Sequence, residues 1–146
     1  MPPGQFMRRL ILILLLGTIG QSYGGTFDLD TIDNWQIYNG TELILGGHES
    51  PLGTEFQGTI KTADLKELII QFNHCVRYID DYDVTIEVTD DRGENILTKK
   101  FKVNLGTRMI IDKKEFGPLT MKSITIRYRE KRKNGTDKIL GLIRFV

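Results

Sequence analysis

Past residue 22, apolar side chains alternate with polar ones instead of recurring at helical spacing, which predicts strands with one buried face. In residues 83–89, Val84, Ile86 and Val88 share one face, while Asp83, Thr85, Glu87 and Thr89 share the other. Residues 123–129 repeat the pattern with Ile124, Ile126 and Tyr128 inward and Arg127 and Arg129 outward. Residues 67–74 align Leu68, Ile70 and Phe72, and Ile69 on the opposite face predicts that this side is partly covered. In residues 96–103, Lys99 falls in phase with Leu97, Phe101 and Val103, so a bulge near Lys99 is expected to shift the register. Residues 108–111 and 138–145 complete the strands.

Turn chemistry separates these runs. Asn39-Gly40 predicts a hairpin between residues 35–38 and 41–45, because both central residues of a type I′ turn need positive φ. A strict two-residue loop would pair Trp35 with Ile44 and Ile37 with Glu42, mixing the faces, so a bulge or an edge position is expected. Asp90-Asp91-Arg92-Gly93 and Asn134-Gly135 join two further strand pairs. Residues 62–66 and 112–116 each predict one helical turn, N-capped by Thr62 or Asp112. Residues 46–58, with Pro51, Gly53 and Gly58, read as a surface loop. Seven to nine short strands at this spacing predict an all-β fold: a two-sheet antiparallel β-sandwich, immunoglobulin-like or jelly-roll, with a closed barrel as the alternative.

The N-terminus has a different pattern. Arg8-Arg9 precedes an unbroken aliphatic run, Leu10 to Leu16, and small residues follow, the arrangement of a secretory signal peptide. The apolar stretch, residues 10–20, would rise only about 16 Å as a helix, against a hydrocarbon core of about 30 Å. A transmembrane span is therefore not expected. Cleavage after Ser22 divides the chain into a signal peptide, residues 1–22, and a single β-sandwich domain, residues 23–146. The expected localisation is secreted or periplasmic. An exporting pathway permits disulfides, yet Cys75 is the only cysteine; it reads as a buried thiol or as an intermolecular partner.

Twenty basic residues face nineteen acidic ones, and loss of Arg8 and Arg9 with the leader makes the remainder slightly acidic. Nothing in that balance attracts nucleic acid or an anionic membrane. The chain holds no G-x-S-x-G elbow, phosphate-binding loop, C-x-x-C or H-E-x-x-H. His48 and His74 are the only histidines. His48-Glu49-Ser50 reads as a solvated turn, and a Cys75–His48 pair would need the fold to bring the two together. His74 reads as a strand-end residue at the core margin.

Candidate binding residues remain. Asp80, Asp81 and Asp83 form the better of two acidic clusters (the other is Asp28, Asp30 and Asp33) for calcium, which takes loop carboxylates and carbonyls; turn formation is the plainer account of such aspartates. No other cofactor is expected. Tyr78 and Tyr82 are placed for display in the connection after Cys75, where aromatic faces can stack on sugars. Arg127 and Arg129, continuing into Lys131, Arg132 and Lys133, form a cationic stripe that also discourages edge aggregation. Trp35 reads as core. Asn39-Gly40-Thr41 and Asn134-Gly135-Thr136 match the glycosylation sequon. The expected function is an exported, non-catalytic module that binds a protein or a glycan. The alternative is an assembly subunit that uses edge-strand pairing, including the apolar C-terminal strand; a small hydrolase ranks third.

Overall fold

The computed structural model describes residues 33–48, 56–74, 81–104 and 106–146. Among the described residues, nine strands form two sheets packed face to face, an all-β two-sheet sandwich. The first sheet has the order β2(Glu42–His48), β1(Asn34–Asn39), β4(Glu67–Asn73), β7(Arg108–Asp112). The second has the order β3(Gln57–Ile60), β9(Asp137–Phe145), β8(Ser123–Glu130), β5(Tyr82–Asp90), β6(Asn95–Val103). Every pairing is antiparallel except β3 with β9. The expected leader and cleavage position, Asp28, Asp30, Cys75, Tyr78 and Asp80 lie outside the described residues.

The alternation seen in the sequence is the burial pattern of the sheets. Val84, Ile86, Val88, Ile124, Ile126 and Tyr128 are completely buried between them, and burial of such side chains supplies the main driving force for folding. A column of stacked rings runs through this core. Phe72 lies 4.2 Å from Tyr128 and 6.0 Å from Trp35 by ring centroids, with interplanar angles of 9° and 8°. The Trp35 indole N–H donates across the sandwich to the Leu140 carbonyl at 2.7 Å. Gly141 lets β2 close on β9, since a Cβ there would stand 3.0 Å from Leu45 Cδ2 on β2, and 2.9 Å from the carbonyl oxygen of Phe56 ahead of β3.

The other open side is closed by a charge. Lys99 stays in phase with its apolar neighbours, and the bulge of this strand lies at Ile96 and not beside Lys99: β5 and β6 pair continuously from Tyr82–Val103 to Val88–Leu97 and shift register before Thr89–Asn95. The long side chain makes the shift unnecessary. Its amine reaches β7 and the one-turn 3₁₀ segment Lys113–Phe116, donating to the Ile110 carbonyl at 2.9 Å and to Glu115 at 2.7 Å.

The first hairpin departs by one residue from the expected turn. Asn39 closes β1 against Glu42, so Gly40 (φ 61°) and Thr41 form the connection. Asn39 is held in the strand because its buried amide donates to the Asp64 carbonyl at 2.9 Å and accepts from the Lys66 N–H at 2.8 Å. A bulge at Ile44, between the pairs Ile37–Leu45 and Tyr38–Leu43, restores the inward phase. Within residues 46–58, β2 runs to His48 and β3 begins at Gln57; only residues 49–55 lie outside the described residues. Asp112 is the N-cap of its turn, while the Thr62–Asp64 turn starts from Lys61. The C-terminal strand is not an edge, because β9 lies between β3 and β8. No helix among the described residues is long and apolar enough to cross a membrane.

Candidate functional site

At the end of the sandwich where β4 stops and β9 starts, polar groups enter the core. Glu130 continues the inward phase of Ile124, Ile126 and Tyr128, so its side chain is carried inside, fully buried. His74, just past β4, places Nε2 on Glu130 Oε1 and Nδ1 3.1 Å from Asp33 Oδ1. Tyr128 donates to Glu130 Oε1 at 2.9 Å; Arg132 Nε and the Thr136 N–H donate to Oε2 at 2.7 and 3.0 Å. Burial opposes ionisation of Glu130, but the bonds from His74, Thr136, Tyr128 and Arg132 outweigh it and hold its pKa at about 2. Burial, Tyr82 and the Glu130 charge together push the Tyr128 hydroxyl far above the usual tyrosine range.

This cluster joins the two sheets through charge-assisted hydrogen bonds. Cations roof it: the Arg132 guanidinium lies 4.2 Å over the Tyr82 ring, and the Lys138 amine 5.1 Å over Trp35. Both imidazole nitrogens of His74 face carboxylate oxygens. A fully satisfied buried network of this kind specifies geometry.

Tyr82 opens β5 with its hydroxyl 3.4 Å from that of Tyr128. Arg127 and Arg129 lie on the outer face of the second sheet, as their phase predicts. Arg127 grips Asp137 at 2.7 and 3.0 Å, and Arg129 reaches Glu87 at 3.1 Å and Asp137 at 3.3 Å. Arg127 in turn holds the Asp137 carboxyl below its ordinary pKa. Arg127 and Arg129, the start of the cationic stripe, are thus paired within their own face. Asp81 and Asp83 are exposed at the same end, and no group of three or more ligating side chains among the described residues is arranged for a metal. His48 ends β2 on the outer side of the first sheet.

The two outer faces differ in chemistry. The second sheet displays Thr85, Thr89, Thr98 and Thr125 among paired and free charges. The first displays a square of four carboxamides: Asn34 and Gln36 on β1 stand directly opposite Asn73 and Gln71 on β4. Asn73 donates to Asn34 at 2.9 Å, and the Tyr38 hydroxyl donates to Gln36 at 2.9 Å. An apolar row borders the square, with Leu43, Tyr38, Ile69 and Ile110 in register across all four strands. Ile69 is buried and the row's ends, Leu43 and Ile110, are 51% and 43% exposed. Each amide alternates with a core residue in the sequence, but their assembly depends on β1 lying beside β4, which no local pattern specifies. Neither the protein-family models nor the curated proteins contain a match to this chain.

Proposed function

We propose that the protein is a non-catalytic binding module that works outside the cytoplasm, with the outer face of the first sheet as its recognition surface. The carboxamide square beside an apolar row supports this reading. It offers directional hydrogen bonding next to exposed apolar surface, on a rigid sheet and not on a loop. The buried Glu130–His74 cluster serves the same end by locking the two sheets together. The leader pattern at Arg8–Leu16 supports export. Edge-strand assembly has less in its favour, because β9 is paired on both sides and the long edge β6 carries Lys99, Lys100 and Lys102.

The test places one bulky charge on each outer face. Gln71→Arg alters the proposed surface and Thr85→Arg the opposite one. Binding of the labelled protein to immobilised extracellular or envelope fractions is expected to fall with Gln71→Arg and to persist with Thr85→Arg. Equal retention of both variants, or no binding by the parent protein, sinks the reading.

A further inference from the structure

Resting on that reading, we infer that the ligand of this face is a neutral oligosaccharide, laid across β4, β1 and β2 with one sugar unit against the bare backbone at Gly46. Asn34, Gln36, Gln71 and Asn73 are uncharged, and each carboxamide both donates and accepts. A sugar hydroxyl has the same double capacity. The amides stand about 4.8 Å apart across the strands and about 7 Å apart along them, a lattice on the scale of successive pyranose rings. Two in-face bonds, Asn73 to Asn34 and Tyr38 to Gln36, orient the groups beforehand. That reduces the ordering cost of binding. The Gln71 carboxamide makes no side-chain hydrogen bond among the described residues, and its full capacity faces outward. Tyr38, diagonal to Gln71 on β1, and Leu43, next to Tyr38 on β2, supply apolar cover for the C–H face of a ring.

Charge argues the same way. The outer face of the second sheet is built from ion pairs and threonines, whereas the square carries no charge, and Arg108 and His48 stand at its margin. Asparagine is also a poor strand former beside threonine, so local propensity does not account for the amides.

Gly46 supplies an independent observation. It pairs with Gln36 on the outward side of β2, and a Cβ there would meet the Trp35 carbonyl oxygen at 3.6 Å and Gln36 Cγ at 3.8 Å. Those are ordinary contact distances. Packing does not demand glycine at this position, and glycine weakens a strand. A strand glycine marks a bulge or a place where another molecule approaches the backbone closely, and the bulge of β2 lies two residues away, at Ile44.

An array of defined neutral and acidic oligosaccharides tests the inference. Binding to neutral members is expected, weakened about tenfold by Gln36→Ala or Gln71→Ala, the worth of one or two hydrogen bonds. Gly46→Thr is expected to lose at least as much while its melting temperature holds or rises, a split that a purely structural role would not give. Full binding by Gly46→Thr, or binding to acidic members alone, overturns the inference. A silent array, with a photo-crosslinker at Gln71 trapping a protein from the native envelope, overturns the ligand class and leaves the surface standing. Neutral-glycan binding abolished by Arg127→Ala and untouched by Gln71→Ala overturns both.

Discussion

Gly47 seats the indole of Trp35: a Cβ on this glycine would stand 2.6 Å from both Cε2 and Cζ2 of the ring, and 2.9 Å from Phe56. Its chain neighbour Gly46 faces the other way with room to spare. Adjacent glycines on one strand therefore answer to opposite requirements.

Gly47→Ala is expected to destabilise the fold by about 1–3 kcal/mol, the usual cost of forcing a close-packed core apart. Gly46→Ala is expected to be neutral or slightly stabilising. Urea titration followed by fluorescence of Trp35, the sole tryptophan, measures both. Equal midpoints for the two variants would contradict this packing.

The folded Glu130 pKa lies below that of an unfolded glutamate, so its contribution to stability is complete above the ordinary carboxylate range and is lost as pH falls through about 2. The contribution is on the order of 3 kcal/mol. Glu130→Gln keeps the shape but leaves His74 and Arg132 facing a neutral amide; it should cost about 3 kcal/mol at neutral pH. It should also flatten the decline in stability between about pH 4.5 and 2. Unfolding midpoints of parent and variant across that range decide the matter.

Lys99→Met removes the tie between β6 and the opposite sheet. A loss of about 1 kcal/mol is expected, since the pair is part-exposed, and the freed Glu115 carboxyl should titrate higher, because the Lys99 hydrogen bond is the main reason its pKa is low. Lys100→Met, one residue along and outward, should change neither stability nor the Glu115 titration. Carboxyl-resolved NMR titration with thermal melts checks the pair.

Asn39→Ala strips partners from the Asp64 carbonyl and the Lys66 N–H, and about 2 kcal/mol should be lost. Asn134→Gly should be near neutral, because Asn134 is exposed with φ 58°, a conformation that suits glycine. The two sequons are thus unequal: an amide bearing a glycan could not occupy the Asn39 site of this fold. Chemical denaturation of both variants tests the contrast.

Much of the architecture was legible because a strand's period is local. Val84, Ile86 and Val88 declare their face without reference to any other segment, and the inward phase that carries Tyr128 inside also carries Glu130. The predicted bulge at Lys99 failed because phase alone does not show that a long side chain can cross an open sandwich edge to Ile110 and Glu115. Arg127 and Arg129 were correctly faced outward, but a cationic stripe read along β8 ignores Asp137 and Glu87 on the neighbouring strands.

Alternation and turn chemistry by themselves determined that this protein is all-β, and which side chains face its core, since each depends on the direction of successive Cβ atoms along one strand; that the strands form two packed sheets and not a closed barrel was decided by their pairing. Only the tertiary structure decided that β1 lies beside β4, that His74 meets Glu130 from the opposite sheet, and that four amides gather on one face. Those relationships are set by which strands pair across long sequence separations, and pairing is a competition among all the buried faces at once.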